Sequence, residues 1–458
     1  MPSTSRIHTP GSGIVAMFTL LLLSAPRANV KIGAMPLYAI DALILAMLYF
    51  ALRSSPFPSE RRPFANPVLI ILVLALMSEA ATMLLSGGSG ESAYIMGRTT
   101  LAISVFFSVG MLVRTPWDLE RVLKAVVAGM LLSASLMILT SLPITRPIVS
   151  DVFFTRKFLE PASGRILDDI LLSTDAAMRG RSLIGVSILG ATFVNVSWPL
   201  AALLAIWPYR IGYWRLAAIL GCLIAPMAVL MSYSRGPMLG SLLVLLLFVV
   251  LQRHRFRTLF VVPVVVAGLL VTAVGVNSQY FYFERIANRT QAIFENPYED
   301  EREWERILAY IEPFAHLAEQ PSFAIIGEGV SPQRSGVDAM QSGKATHALF
   351  AKAYYSYGML AALTYLFLIV SMLYYGLWHI VQRPNGLARH YSIVLFASVV
   401  AMLPWAAFGH AIVSMPRGTM MFFLIAGLLT TLRHFPIEKR AHKQMEYFGG
   451  DRRNLAFR

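Results

Sequence analysis

The chain has 458 residues, of which 56% are hydrophobic and only 14% are charged, and its formal net charge is +14. Soluble domains carry about a quarter of their residues as charged side chains, so this composition excludes an ordinary water-soluble protein. The basic residues gather at the ends of apolar segments, which indicates membrane-surface anchors rather than a nucleic-acid-binding face. The single cysteine, Cys222, lies inside an apolar run and excludes a disulfide framework or a cysteine-based metal site.

Apolar runs recur along the whole chain, many of them close to the roughly 20 residues that a helix needs to cross a bilayer. They lack the alternation of a β-barrel wall, so we expect an all-α polytopic membrane protein, a single domain over residues 1–458 with about 12 spans. The tenth run is longer than a bilayer requires, which predicts a helix that projects or tilts. The expected spans are residues 12–24, 32–52, 66–86, 97–113, 121–142, 182–207, 213–232, 236–252, 256–276, 349–381, 391–413 and 417–433.

The first run is short enough to be a cleaved signal, but no convincing small-residue cleavage site precedes the second run, so we expect it to be retained. With the N-terminus in the cytoplasm, the basic clusters of the short loops and the basic tail, residues 434–458, are cytoplasmic, as the positive-inside rule requires. Two long connections, residues 143–181 and 277–344, then lie outside. Connections of this length are uncommon unless they have a function.

The second outer loop contains a helical pattern with an apolar stripe. Arg302 and Arg306 fall on the opposite side of that helix, and Pro313 is expected to kink or end it. The stripe consists of Trp304, Ile307, Leu308, Ile311, Phe314 and Ala315.

Several arginines sit at the outer ends of predicted spans, where a guanidinium near hydrocarbon normally faces a polar cavity or a partner. Each could equally be an interfacial anchor; together they could line a positive, outward-facing cavity. Arg235 stands out, because its turn, SYSRGP, is short and has no adjacent acid, and a guanidinium binds phosphate with two prongs. The set is Arg98, Arg179, Arg181, Arg235 and Arg417.

Three further features are candidates for chemistry at the outer face. His347, at the end of the large loop, could accept a proton from a sugar hydroxyl, although an interfacial histidine would look the same. Asp168 and Asp169 could bind a cation or act as a base, and the turn at 327–329, Gly-Glu-Gly, could approach a phosphate. The sequence contains no nucleotide-binding loop, HExxH or aspartate-rich metal motif, so we expect no metal site and no cofactor.

Residues 180–433 resemble the O-antigen ligase and O-antigen polymerase superfamily of bacterial surface-glycan enzymes. The resemblance is carried by SYSRGPMLGSLLVLLLF from Ser232, the long loop with an arginine-bearing helix, PSFAIIGEGV from Pro321 and THALFAKAYYSYGMLAALTYL from Thr346. Upstream, GATFVNVSWPLAALL from Gly190 is similar to the family's asparagine-containing span and singles out Asn195. Ala348 stands where the family usually has asparagine, and Tyr310 where it has tryptophan.

The resemblance implies a bacterial inner-membrane enzyme with its active site facing the periplasm. It would transfer a glycan from an undecaprenyl-pyrophosphate carrier to lipid A-core or to a growing glycan, among membrane lipids, and without nucleic acid. His347 would be catalytic, and Arg235 and Arg306, with Arg302 as the runner-up, would bind the pyrophosphate. Arg98, Arg181, Arg417 and Asn195 would line the cavity.

Two activities remain open within this superfamily, because ligases and polymerases differ in the acceptor cavity. A flippase or secondary transporter could also have about 12 spans and a cationic cavity. Such transporters often contain matching halves, and this sequence has no evident internal repeat.

Overall fold

The computed structural model describes residues 9, 11–24, 29–32, 35–54, 64–85, 90–141, 145, 182, 184, 187–206, 212–232, 234–251, 261, 265, 301–329, 348–383, 387–408 and 416–434. Side chains are described throughout these ranges except at 29–32, 35–37, 90–95, 235, 301–307, 309, 408 and 416. Nearly every described residue is helical. The helices are α1 Ser12–Ser24, α2 Ala39–Arg53, α3 Ala65–Leu85, α4 Gly90–Leu112, α5 Pro116–Ser141, α6 Ser187–Ala205, α7 Tyr213–Met231, α8 Arg235–Leu251, α9 Glu301–Glu319, α10 Leu349–Tyr357, α11 Met359–Gln382, α12 Leu387–Phe408 and α13 Pro416–Thr430.

A small hairpin and two 3-10 turns complete the described secondary structure. The antiparallel strands β1 Asn29–Ile32 and β2 Met35–Tyr38 pair with Asn29 opposite Tyr38, just before α2 begins. The 3-10 turns Pro321–Ala324 and Thr431–His434 follow α9 and α13.

Six of the described helices are long and apolar enough to cross a membrane, and the protein therefore has the helices of a polytopic membrane protein. They are Ala65–Leu85, Pro116–Ser141, Ser187–Ala205, Tyr213–Met231, Met359–Gln382 and Leu387–Ala407. Three shorter apolar helices are Ser12–Ser24, Met96–Leu112 and Gly236–Leu251. The ninth predicted span, residues 256–276, lies outside the described residues apart from positions 261 and 265.

The second and the tenth predicted spans are shortened or divided in the structure. The second, residues 32–52, was too long, because the chain forms the hairpin up to Tyr38 and Pro36 is disfavoured inside a helix. The tenth, residues 349–381, is divided by Gly358, which adopts a φ of 88° and donates its amide to Tyr354 O at 2.7 Å. Glycine takes this conformation without a steric penalty, so α10 ends there and α11 alone forms the candidate span.

Contacts between the helices define their relative directions. Asp41 and Arg98, near the starts of α2 and α4, form an ion pair, so these helices begin at the same end of the bundle. A Cβ built on Gly11, just before α1, would lie 2.9 Å from Phe50 Cβ and 3.0 Å from Leu112 Cδ2, near the ends of α2 and α4. Helix α1 therefore runs antiparallel to both.

Contacts of this kind assign the helix termini to two ends of the bundle, which we call the loop end and the basic end. The loop end contains the hairpin, the starts of α2, α4, α6, α8 and α13, and the ends of α3, α5, α7 and α12, together with α9 and α10. The basic end contains the start of α5, where Asp118 binds Thr9, and the end of α11, where Arg383 donates to Leu432 O. The chain leaves α5 toward residues 143–181, and enters α9 and α10 from the large loop, at the loop end.

Candidate functional site

The SYSRGP turn leads directly into α8. The Ser234 amide donates to Ser232 Oγ at 3.2 Å, and the Ser234 carbonyl accepts the Met238 amide at 3.2 Å. Pro237 fits within the first helical turn, where its missing amide costs no hydrogen bond. Arg235 is therefore the first residue of α8, at the positive end of the helix dipole; its side chain lies outside the described residues.

Asn195 holds this first turn of α8 against α6. Its Nδ2 donates to Pro237 O at 3.1 Å, and Ser241 Oγ donates to its Oδ1 at 2.8 Å. The asparagine is fully buried, and its amide binds two groups of α8 that follow Arg235 within the first two turns. Asn195 thus fixes the position of the backbone that carries Arg235.

Helix α9 continues through Pro313, which is buried within it, so of the two expected outcomes, a kink or an end, the structure excludes the end. Tyr310 donates a hydrogen bond to Ala407 O near the end of α12, and burial raises the pKa of its phenol. Leu317 packs against the core. Positions 302 and 306 precede Tyr310 at four-residue spacing, so they belong to the same helix stripe as these inward-facing residues.

Aromatic contacts fasten α9 to α10. The rings of Phe314 and Phe350 stack with centroids 5.6 Å apart. His316 Nδ1 lies 2.9 Å from the Tyr354 hydroxyl, and its ring meets Phe323 edge-on at 4.7 Å. These contacts place the start of α10, which follows position 347, beside the middle of α9.

The Gly-Glu-Gly turn packs against the last turn of α10. The Glu328 amide donates to Tyr355 O at 2.7 Å and the Gly329 amide to Ser356 O at 3.1 Å. A Cβ at Gly327 would lie 2.4 Å from the Tyr357 amide nitrogen, so only glycine permits this approach. The interpretation of this turn as a phosphate contact is therefore wrong for these two amides, because they already bond to α10.

Side chains of α3 and α10 complete this junction. Ser78 Oγ donates to Ser356 O at 2.6 Å, and Thr82 Oγ1 donates to Glu328 O at 3.1 Å. Burial lowers the pKa of Lys352 on α10, and the Glu328 carboxylate opposes that shift. The loop after α9 is thereby joined to both α3 and α10.

The elements that carry Arg235 and Arg306 both contact the last turns of α12. A Cβ built on Gly236, next to Arg235, would lie 3.9 Å from Pro404 O. Ala407, one turn further along α12, accepts the hydrogen bond from Tyr310 of α9. Pro404 and Ala407 are three residues apart, about 4.5 Å along the axis, so the first turn of α8 and Tyr310 of α9 contact neighbouring positions on α12. Helix α10 contacts α9 through Phe350.

Arg98 and Arg417 meet at a second place at the loop end. Arg98 Nη2 lies 3.3 Å from Asp41 Oδ1, and its guanidinium lies 4.3 Å from the centroid of the Tyr38 ring. The buried side chain of Arg417 also interacts electrostatically with Asp41. The two predicted cavity arginines are thus brought together by a carboxylate that partly neutralises them.

Sequence reasoning did not single out two acids at the loop end. Asp41 sits among apolar residues at the start of α2, and Glu79 is buried within α3, where it interacts with Tyr357 of α10. An ionisable residue inside an apolar span is itself the signal that could have identified both, because its burial is costly without a partner.

The remaining predicted residues lie outside the described part of the chain. They are His347, Arg179, Arg181, Asp168 and Asp169. The side chains of Arg302 and Arg306 are likewise outside it, and only their backbone positions on α9 are known.

The chain was compared with protein-family models and with curated proteins. No protein-family model matches the chain, and no curated protein matches it at a significant level. The resemblance to the O-antigen ligase superfamily therefore depends on the motifs in the sequence.

Proposed function

We propose that the protein is a membrane glycosyltransferase of the O-antigen ligase type. It transfers a glycan from an undecaprenyl-pyrophosphate carrier to lipid A-core at the periplasmic face of the bacterial inner membrane. We also propose that the chain crosses the membrane about 12 times and that the basic end faces the cytoplasm, as the positive-inside rule predicts.

One observation carries the proposal. The first turn of α8 and helix α9 belong to separate parts of the sequence, yet both contact the last turns of α12, and the start of α10 stacks on α9. These elements carry Arg235, Arg306 and, just before α10, His347. We infer that these three side chains converge, because two cations and an imidazole together suit a lipid-linked pyrophosphate and an acceptor hydroxyl.

The mechanism follows from these residue types. His347 accepts the proton of the acceptor hydroxyl while that oxygen attacks the anomeric carbon from the side opposite the pyrophosphate. The bond from the anomeric carbon to the phosphate oxygen breaks, the configuration inverts, and the carrier pyrophosphate leaves. Arg235 and Arg306 stabilise the negative charge that grows on this leaving group more than they stabilise the bound donor. The reaction needs no metal or other cofactor.

A polymerase that joins lipid-linked repeat units has the same donor and the same leaving group, and is the second candidate. Purified protein supplied with carrier-linked repeat units alone distinguishes the two: chain lengthening without lipid A-core identifies a polymerase. A flippase is the third candidate; it would move the carrier-linked sugar across the bilayer without consuming it, which leaflet-specific labelling measures.

The roles are tested by Arg235→Lys and His347→Ala in a reconstituted transfer assay. Lysine keeps the charge but loses the two-pronged geometry, and a loss of about 3 kcal/mol in transition-state stabilisation slows turnover roughly 100-fold. Arg53→Lys is the matched control, because Arg53 is exposed at the basic end and bonds to Tyr49 within its own helix. Normal transfer by both site variants would overturn the assignment.

A further inference from the structure

The described part of the apolar stripe of α9 is exposed, although the ring of Phe314 also stacks on Phe350 of α10. Ile311 is 58% exposed, and Leu308 and Phe314 on the same side are also exposed. The inward side is occupied by Tyr310, which bonds to α12, and by the buried Pro313. An amphipathic helix in water would bury the apolar side, so this helix has the opposite arrangement.

The exposed apolar surface continues past the end of α9. Ile325 is 51% exposed and Ile326 is also exposed, and the carbonyl carbon of Ile325 lies 2.8 Å from where a Cβ on Gly358 would be. Gly358 immediately precedes α11, a candidate membrane span. The stripe on α9 and the turn after it therefore join the outer surface of a membrane-crossing helix.

The first turns of α11 are themselves exposed and apolar. Leu360, Leu363 and Phe367 lie on its uncovered side, and Phe367 is 59% exposed. For a helix of membrane-spanning length and composition, such a side faces lipid. Ile325 and Ile326 belong to the same continuous surface, so lipid should cover them as well.

We propose that α9 and the turn through Ile326 lie in the surface of the bilayer, with Leu308, Ile311 and Ile325 among the acyl chains. The occupant of this apolar surface is phospholipid. Glu312 and Glu319, which are exposed beside the stripe, then face water and the headgroups. The inference depends on the chain spanning a membrane and not on the glycan-transfer proposal.

With α9 in the bilayer surface, the depth of its opposite side, which carries positions 302, 306 and 310, is also defined. When Leu308 and Ile311 face lipid, the backbone positions 302, 306 and 310 lie on the opposite side of α9. They would then lie at the level of the lipid phosphates, where the pyrophosphate of a membrane-bound carrier also lies.

The test measures the depth of single spin labels in full-length protein reconstituted in vesicles of phosphatidylethanolamine and phosphatidylglycerol. The only native cysteine, Cys222, is buried in α7 and is replaced by alanine. Labels at Ile311→Cys and Ile325→Cys are compared with labels at the exposed positions Glu312→Cys and Glu319→Cys. Collisions with dissolved oxygen, which concentrates in lipid, and with a water-soluble nickel chelate are measured for each label.

We expect the ratio of oxygen to nickel collisions to be higher at 311 and 325 than at 312 and 319. An equal ratio at all four positions would overturn the proposal, since the stripe would then be in water. Low collision rates with both reagents at 311 and 325 would also overturn it, because protein would cover the surface. As a control, each labelled variant should unfold at the same temperature as the unlabelled protein, which shows that the four labels are compared in folded protein.

Discussion

The two ends of the bundle hold their polar groups in different ways. At the basic end, Thr115 and Asp118 form a capping box at the start of α5, with the Thr115 amide 3.0 Å from Asp118 Oδ2. At the loop end, hydrogen bonds join segments far apart in the sequence, such as Ser78 with Ser356. Both ends use long-range hydrogen bonds, since Asp118 also binds Thr9 and Arg383 donates to Leu432 O at the basic end. The loop end differs in that such bonds hold a loop, residues 320–329, against α3 and α10.

This difference indicates where function is to be sought. A site assembled from several segments can combine residue types that no single helix offers, and loops on a rigid scaffold commonly carry such sites. The loop end contains the described backbone positions of Arg98, Arg235, Arg302, Arg306 and Arg417, and the side chain of Asn195. Substitutions that detach the loop at residues 320–329 should uncouple it from α3 and α10, whereas substitutions in contacts within one helix at the basic end, such as that between Ser54 and Phe50, should have small effects.

The largest effect is expected from Asp41→Asn. The substitution keeps the shape of the side chain but leaves Arg98 and Arg417 without their carboxylate, which should cost about 3–5 kcal/mol of stability. Glu120→Gln is the comparison, because its partner Lys124 is one turn away and partly exposed, and such pairs contribute about 0.5 kcal/mol. Thermal unfolding in detergent measures both.

A double variant separates charge from packing at the same place. Replacing Arg98 by glutamine in the Asp41→Asn background removes a buried cation that has lost its partner, so part of the stability should return. If Asp41→Asn and Glu120→Gln cost the same, the difference between the two ends would not be electrostatic.

Gly327→Ala is expected to have the second largest effect. The new methyl group would collide with the backbone of α10 and should cost about 1–3 kcal/mol, while detaching the turn from Tyr355 and Ser356. Limited proteolysis after α9 should become faster. Gly97→Ala in α4 is the control, because a Cβ there meets nothing within 4 Å, and it should leave both stability and proteolysis unchanged or slightly improved.

The smallest effect is expected from His316→Phe. It keeps an aromatic ring among Phe323 and Tyr354 but removes the hydrogen bond to the Tyr354 hydroxyl, which should cost about 1 kcal/mol. Ser54→Ala, which removes a hydrogen bond within the last turn of α2, should cost less. A larger loss for Ser54→Ala would contradict the view that contacts between segments dominate the loop end.

The sequence predicted the positions of the described helices well, because a membrane-spanning run is defined by length and apolarity alone. The expected span 66–86 is the helix Ala65–Leu85, and 213–232 is Tyr213–Met231. The break at Gly358 was missed, because a glycine inside an apolar run is compatible with a helix unless its φ is known.

The candidate site was less predictable, for two physical reasons. The pairing of Arg98 with Asp41 depends on the packing of α2 against α4, which no local pattern encodes. The direction in which α9 faces depends on whether its surroundings are water or lipid, and the periodicity of its sequence is the same in both. The roles of Arg235, Arg306 and His347 remain predictions.

The most direct test of those roles is a cryo-electron microscopy map of the full-length protein with an undecaprenyl-pyrophosphate-linked glycan bound. The account predicts that the pyrophosphate lies at the loop end, in contact with Arg235 and Arg306, with the anomeric carbon beside His347. A pyrophosphate bound elsewhere, or an Arg235 side chain that points into lipid away from α9, would contradict it.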